Sequence, residues 1–332
     1  VPTIVPSESF NTVLYTGNSS TQAITGVGFQ PDFTWIKNRN NSASSSHAHA
    51  LFDSVRTSGY RLVSNTTAAE NNYSAYMTGF NSGGFNLSGN PLNDTAGTYV
   101  AWNWKAGGTA VSNTDGTITS QVSANVDAGF SIVSYTGTGS AASVGHGLDT
   151  PEFVVIKRLD GTSYWQVWYT GAGINPASGI NRLYLNDSQG NDNSTTNVYY
   201  PDATKINFNS GDHFFNGSSS TYIAYCFHSV DGYSKIGSYT GTGATGNTIV
   251  TGFRPAFVMI KASSASGSWY MFDDKRLTSP YSDQLIANSS AAEATGTYVD
   301  LDSNGFTLNT TASDLNNSGV TFIFMAFAAD PT

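Results

Sequence analysis

The chain has 332 residues, a formal net charge of −9 and only 11% charged residues, compared with roughly 25% in a typical soluble domain. The acidic balance excludes the cationic surface that nucleic-acid binding requires, and no apolar run approaches the roughly 20 residues that span a bilayer. Abundant Gly, Asn, Thr, Tyr and Phe instead predict an all-β protein with many tight turns.

A pattern of short strands begins after "VPTIVPSESF", a start that has neither a signal peptide nor an initiator Met and suggests a processed chain or a fragment. The phrases of this first copy are "LYTG" (14–17), "GFQPDFTWIK" (28–37), a Ser-rich insertion (38–50), "LFDSVR" (51–56), "LVSNTTAAE" (62–70), "GFNL" (84–87) and "YVAWNWKA" (99–106). In the last phrase Val100, Trp102 and Trp104 share one face and the other face is also largely apolar. This pattern predicts a central strand rather than an edge strand.

A Gly/Ser/Thr-rich segment follows, and we assign residues 109–124 as a connector in which Ile118 and Val122 could add a strand. The phrases of the second copy are "SYTG" (134–137), "LDTPEFVVIK" (148–157), "SYWQVWY" (163–169), "LYLNDSQG" (183–190), "KINF" (205–208) and "YIAYCFHS" (222–229). Those of the third are "SYTG" (238–241), "GFRPAFVMIK" (252–261), "GSWYMFDDKR" (267–276), "LIANSSAAE" (285–293), "GFTL" (305–308) and "FIFMAFAA" (322–329).

The spacing within the copies identifies an internal repeat. In each copy 22 positions separate the Tyr of the first phrase from the Lys that ends the second: Tyr15 and Lys37, Tyr135 and Lys157, Tyr239 and Lys261. About seven short strands in roughly a hundred residues are typical of a β-sandwich. We therefore predict three tandem β-sandwich domains, at 1–108, 125–229 and 230–332, with Phe33, Phe153 and Phe257 in equivalent core positions.

Recurring charged residues are the first candidates for a site. A lysine kept three times, as Lys37, Lys157 and Lys261, either binds a ligand or lies at a strand end with its stem over apolar surface, and we favour the second reading.

Asp53 and Arg56 recur as Asp273 and Arg276, whereas we align Thr170 and Gly173 with them in the second copy. This pattern favours a local structural ion pair over catalysis.

No catalytic, metal or cofactor site is expected. The chain has neither a GxSxG nor an HExxH motif, and its one cysteine, Cys226, aligns with Asn103 and Ala326, which favours packing. The histidines, which form no ligand triad, are His47, His49, His146, His213 and His228.

Two weaker ligand-binding signals remain. "NDSQGNDN" (186–193) faintly resembles a calcium loop but lacks its spacing and terminal Glu, so we favour a polar turn. Tyr199 and Tyr200 are weak candidates for ligand binding, because paired tyrosines can stack on sugar rings, but we favour packing at a strand end.

A resemblance to a known family is carried by the phrases "YTG…GFxPxFxxIK", "SNTTAAE/ANSSAAE", "YVAWNWKAGGTAVSNTDGTITSQVSANVDAGFSIVSYTGTG" and "YIAYCFHSVDGYSKIGSYTG". From about Phe10 to the C-terminus, the chain resembles a repeat domain in virion structural proteins of marine bacteriophages, cyanophages especially. The resemblance implies a tail fibre, appendage or other protein of the phage particle surface. It offers no catalytic residues and, by analogy, implies a jelly-roll or concanavalin-like sandwich.

These observations leave three functional hypotheses. The first is a non-enzymatic virion surface protein that contacts host surface glycans or proteins, with homo-oligomerisation adding avidity. The second is a head-decoration or appendage subunit that binds only other virion proteins. The third is a glycan depolymerase. We expect no membrane insertion and no enzyme activity.

Overall fold

The computed structural model describes residues 4–40, 48–170, 180–194, 197–278 and 281–330. These residues fold almost entirely into antiparallel strands, so the all-β prediction is confirmed. The other regular elements are two 3₁₀ turns and one helical turn, Pro6–Glu8, Asp274–Arg276 and α1 (Ser313–Asn316). In the described part of the chain, no helix has the length and apolar character needed to cross a membrane.

The first copy forms two main sheets and a small ribbon. Its strands are β1 (Phe10–Thr16), β2 (Thr21–Ile24), β3 (Phe33–Asn38), β4 (Ala50–Asp53), β5 (Tyr60–Arg61), β6 (Asn71–Asn72), β7 (Met77–Asn81), β8 (Gly84–Ser88) and β9 (Thr98–Trp104). The larger sheet has the order β1-β9-β3-β4, the smaller one β2-β8-β7, and β5 pairs with β6.

The connector and the second copy form an eight-stranded and a three-stranded sheet. The strands are β10 (Val111–Asn113), β11 (Ser120–Asn125), β12 (Phe130–Thr136), β13 (Ala142–Gly145), β14 (Phe153–Arg158), β15 (Gln166–Tyr169), β16 (Ile180–Tyr184), β17 (Asp192–Ser194), β18 (Tyr199–Pro201), β19 (Lys205–Phe208) and β20 (Thr221–Phe227). Their orders are β10-β11-β12-β20-β14-β15-β16-β17 and β13-β19-β18.

The third copy forms two five-stranded sheets. Its strands are β21 (Ser234–Thr240), β22 (Asn247–Val250), β23 (Pro255–Ala262), β24 (Trp269–Asp273), β25 (Leu277–Thr278), β26 (Tyr281–Ser282), β27 (Leu285–Ile286), β28 (Val299–Asp302), β29 (Gly305–Leu308) and β30 (Thr321–Ala328). The sheet orders are β21-β30-β23-β24-β27 and β22-β29-β28-β26-β25.

The segment expected to be a connector contributes β10 and β11 to the sheet of the second copy. Ile118, Ser120 and Val122 are buried while the residues between them are exposed. This two-residue alternation covers one face of the sheet and explains why a Gly/Ser/Thr-rich segment forms strands.

The last strand of each copy is central in its sheet, as its two apolar faces predict. Each of these strands pairs with the core-strand phrase in the same register. The phenylalanine pairs are Phe33–Trp104, Phe153–Phe227 and Phe257–Phe327, and the lysine pairs are Lys37–Val100, Lys157–Ile223 and Lys261–Ile323.

One buried apolar cluster is shared by all three copies, and three further clusters lie between the larger and smaller sheet of each copy. Rings meet across the copy boundaries: the Phe10 and Phe327 ring centroids lie 5.1 Å apart, and those of Phe33 and Tyr225 lie 4.5 Å apart. Full burial of such a side chain stabilises the fold by about 1.5–3 kcal/mol. The copies are therefore joined through a common interior.

Candidate functional site

The two tyrosines singled out from the sequence lie on β18. Tyr199 is completely buried, with its ring centroid 5.1 Å from that of Phe215, which agrees with packing at a strand end and leaves no exposed ring to stack on a sugar. Tyr200 is half-buried and packs against the same core cluster. Packing against Phe215 and the rest of this cluster excludes Tyr199 from solvent.

The three strand-end lysines are also completely buried, so the prediction that their stems extend over the surface is wrong. Each Nζ donates to the carbonyl oxygen of the next residue, at 2.6 to 3.0 Å, and to a carbonyl oxygen of another copy at 3.3 Å. Burial lowers the pKa of Lys157 to about 7 and that of Lys37 and Lys261 to about 8. The acceptors in the other copies are Ser290 for Lys37, Thr67 for Lys157 and Ser188 for Lys261.

These contacts follow one cyclic order: the second copy bonds to the first, the third to the second, and the first to the third. Backbone hydrogen bonds repeat the same order two residues after each lysine. They are Glu70 N to Leu159 O at 3.0 Å, Asn191 N to Ser263 O at 2.7 Å and Glu293 N to Arg39 O at 2.7 Å. We call the boundary between two adjoining copies a seam. The hydrogen bonds across the three seams connect the copies in a closed ring.

Across each seam, a side-chain ring nitrogen also donates a hydrogen bond to a backbone carbonyl group. Trp165 Nε1 donates to Val63 O at 3.0 Å, and Trp269 Nε1 donates to Tyr184 O at 2.9 Å. His49 holds this position in the first copy.

The Nδ1 of His49 accepts a hydrogen bond from Trp35 Nε1 at 2.7 Å, so its Nε2 carries the proton and donates to Ile286 O at 2.9 Å. Burial, followed by the nearby charge of Lys37, lowers the pKa of His49 to about 3, so this histidine is neutral at physiological pH. Its neighbour in the sequence motif, His47, lies outside the described residues.

The predicted ion pair of the first copy is present and reaches into the second. Asp53 Oδ2 accepts from Arg56 Nε at 2.6 Å and from the Tyr225 hydroxyl at 2.7 Å, and all three side chains are buried. Glu70 contacts the other side of the guanidinium at 2.9 Å.

The ion pair of the third copy has the same geometry. Asp273 Oδ2 accepts from Arg276 Nε at 2.6 Å and from Trp102 Nε1, in the first copy, at 2.9 Å. Glu293 binds Arg276 at 2.8 Å and Arg39 at 2.6 Å. Both carboxylates therefore fasten two copies together.

The remaining seam lacks both partners of this contact. Tyr169 holds the register position of the two aspartates, so the alignment of Thr170 with them is wrong by one residue, and Gly173 lies outside the described residues. Met325 of the third copy holds the donor position. Tyr169 instead donates to Asn191 Oδ1 at 2.6 Å.

The remaining candidate groups are committed to packing or to internal hydrogen bonds. Cys226 is buried, and desolvation raises the pKa of its thiol to about 12. In the calcium-like segment, Asp187 accepts from Gln189 N and Asp192 from Arg182. Across the described ranges, no group of three or more His, Cys, Asp or Glu side chains could hold a metal ion.

Open polar grooves lie where the first copy meets the connector. One of them, of about 710 Å³, is lined by residues that include Gln30, Lys105, Asn125 and Asp127, and it adjoins grooves of about 450 and 330 Å³. Its floor is fixed by the buried carboxylate of Asp32, which accepts from the backbone N–H groups of Ala106 and Gly108 at 2.8 and 3.2 Å. Amide, charged and apolar groups thus line this shallow groove together.

The fold and these contacts define a nearly all-β protein whose recurring charged groups lie buried between its copies. The chain belongs to the family described as Domain of unknown function (DUF7483), which matches residues 5–331. No curated protein matches the chain. A solved structure described as "Crystal Structure of the STIV MCP" is 12% identical and is matched over 68% of this chain and 92% of that chain. Its TM-score of 0.17 is too low to support any conclusion about fold or function.

Proposed function

We propose that the protein is a non-enzymatic component of a bacteriophage virion surface that contacts host surface glycans or proteins. In this proposal the chain consists of three tandem β-sandwich repeats of jelly-roll or concanavalin-like type, and it belongs to a tail fibre or appendage. Its partners are other virion proteins and a host surface ligand, and it acts as a homo-oligomer.

The observation that supports this function is the location of the polar and charged side chains. The recurring lysines, aspartates and arginines are buried and fasten one copy to the next. The solvent-facing grooves combine amide and hydroxyl side chains with small apolar residues and, in one groove, Lys105 and Asp127. Weak contacts of this kind gain strength when a rigid body presents several of them at once.

The test is binding of the purified protein to susceptible host cells, with release of reducing sugar from their envelope glycans measured in parallel. We expect saturable binding without sugar release. Steady release that disappears on substitution of a carboxylate would establish a depolymerase instead.

A second candidate is a head-decoration or appendage subunit that binds only virion proteins. The closed ring of seam contacts supports it, because a rigid body with three related outer surfaces suits a position among several equivalent neighbours. Absence of cell binding, together with virions that fall apart without the protein, would favour this candidate.

A further inference from the structure

One pair of facing positions carries a different charge in each copy. Arg61 on β5 faces Asn71 on β6, and Arg182 on β16 faces Asp192 on β17. In the third copy the equivalent bridge joins Gln284 and Ala294. The first copy thus has an arginine opposite an amide, and the second has an arginine opposite a carboxylate. The third copy has no charged side chain at either position.

The pair in the second copy is internally neutralised. Arg182 Nε and Nη2 donate to Asp192 Oδ2 at 3.0 and 2.8 Å, and the Tyr184 hydroxyl donates to the same oxygen at 2.7 Å. Burial alone would lower the pKa of Arg182, but the hydrogen bond and charge of Asp192 outweigh it, so the pKa is raised.

The arginine of the first copy has no carboxylate partner among the described residues, and only Tyr73 offsets part of the effect of burial on its pKa. Arg61 Nε donates to Asn71 Oδ1 at 3.3 Å, and its guanidinium carbon lies 3.9 Å from the centroid of the Tyr73 ring. Its Nη1 is buried and, within the described residues, has neither a hydrogen-bond partner nor a carboxylate within 4 Å. Desolvation by burial lowers the pKa of Arg61, although part of the side chain remains in contact with solvent.

An arginine that is stacked on an aromatic ring and lacks a carboxylate is arranged to accept one from outside. The guanidinium group presents a rigid fork of donors that matches an oxyanion in two parallel hydrogen bonds. The stacking on Tyr73 fixes the plane of the fork, and the Tyr76 ring, 5.2 Å from that of Tyr73, extends the same surface. Asn71 is exposed, and its amide nitrogen donates no hydrogen bond to any described residue, so it can supply another donor.

We propose that Arg61, Asn71, Tyr73 and Tyr76 form an anion-binding site for a ligand that carries a carboxylate or sulfate group. The bound oxyanion supplies the negative charge that Asp192 supplies in the second copy. The bearer of the anion is a host acidic glycan only if the proposed function holds, whereas the site itself does not depend on it.

The experiment is isothermal titration of the full-length protein at constant ionic strength with four probes: sodium glucuronate, glucose, sodium acetate and sodium sulfate. We expect the anions to bind and glucose not to bind. Glucuronate binding more tightly than acetate would indicate that the sugar ring contacts the tyrosines. Equal binding of acetate, sulfate and glucuronate would identify a site for the anionic group alone.

The chain itself offers the variants. Asn71→Asp copies the pair of the second copy, and Arg61→Gln copies the glutamine of the third, so each should fold with an unchanged melting temperature or better. Each should weaken anion binding by about tenfold or more, because a charge-assisted bidentate contact is lost. Asn72→Asp is the matched control: it makes the same change in charge one residue away, on the opposite side of the ribbon.

Three results would overturn the proposal: no wild-type binding of any anion, unchanged binding in Asn71→Asp, or an equal loss in Asn72→Asp, which would indicate a long-range effect of charge. Cell binding separates this inference from the proposed function. Anion binding without cell binding would refute the function alone. Cell binding that is unaffected by both Arg61→Gln and added glucuronate would refute a host acidic glycan as the ligand of this site, and absence of wild-type anion binding in the titration would refute the site.

Discussion

Removing one buried hydroxyl tests whether the seams hold the copies together. The Tyr225 hydroxyl of the second copy donates to Asp53 of the first at 2.7 Å, and both side chains are buried. Tyr225→Phe removes this bond and little else, because the ring that packs against Phe33 remains.

The expected cost follows from the charge of the acceptor. A hydrogen bond to an ionised group contributes about 1.5–3 kcal/mol, and Asp53 keeps its bond from Arg56 at 2.6 Å. We therefore expect Tyr225→Phe to lower the free energy of unfolding by about 2 kcal/mol. Tyr169→Phe is the matched control, since this hydroxyl donates to the neutral amide of Asn191 and should cost about 1 kcal/mol.

Guanidinium chloride unfolding followed by tryptophan fluorescence measures both values, with an unchanged slope showing that only stability differs. In an Asp53→Asn background, the cost of Tyr225→Phe should fall to about 1 kcal/mol, which isolates the contribution of the charge. The reasoning is refuted if Tyr225→Phe costs no more than Tyr169→Phe, or if its full cost persists in the Asp53→Asn background.

Three further predictions follow from the shared core and the buried groups. Trp102→Ala should cost about 3–5 kcal/mol and shift one common calorimetric transition, whereas a separate early transition would contradict a shared core. Cys226 should resist thiol reagents in the folded protein, and Cys226→Ala should leave cell binding intact; rapid labelling or lost binding would contradict its packing role. Raising the pH from 7 to 9 should stabilise the protein, by about 2 kcal/mol through Lys157 alone, because its folded pKa lies below the unfolded value and the unfolded state therefore binds more protons. Unfolding free energies at pH 7, 8 and 9 check this, and Lys157→Met should flatten the rise.

Local patterns predicted the strand content and the central strands, because alternation along one segment reports directly on the two faces of that segment. Trp102 and Tyr99 lie on opposite faces of β9, in the shared cluster and in the cluster of the first copy respectively. The sequence of a strand does not show which element packs against its apolar face. The same apolar pattern is expected whether the face is covered by a sheet of the same copy or by a neighbouring copy. The interior shared by the three copies could therefore be recognised only in the structure.

The site was harder to predict because its residues act across copies. The recurrence of Lys37, Lys157 and Lys261 was visible in the sequence, but their acceptors in the other copies are backbone carbonyl groups, which no side-chain pattern reveals. Any type of residue can supply a backbone carbonyl group, so the amino-acid sequence does not identify such an acceptor. The surface position was therefore the more common expectation for a strand-end lysine, and burial among carbonyl groups was missed.

The divergence between seams follows from the cost of an unpaired buried charge. Two seams keep an aspartate, its arginine and a donor from the adjoining copy, as in Asp53 with Arg56 and Tyr225. In the third seam the acid position is Tyr169 and the donor position is Met325, so acid and donor are both absent. Retaining a single member would leave a buried group without its partner, at a cost of several kcal/mol, whereas replacing both is close to neutral. Arg61 differs from this pattern, because Asn71 stands where the second copy has Asp192 while the arginine is present in both copies. Because Arg61 is only partly buried, solvent bears part of this cost, and the anion proposed above would bear the rest.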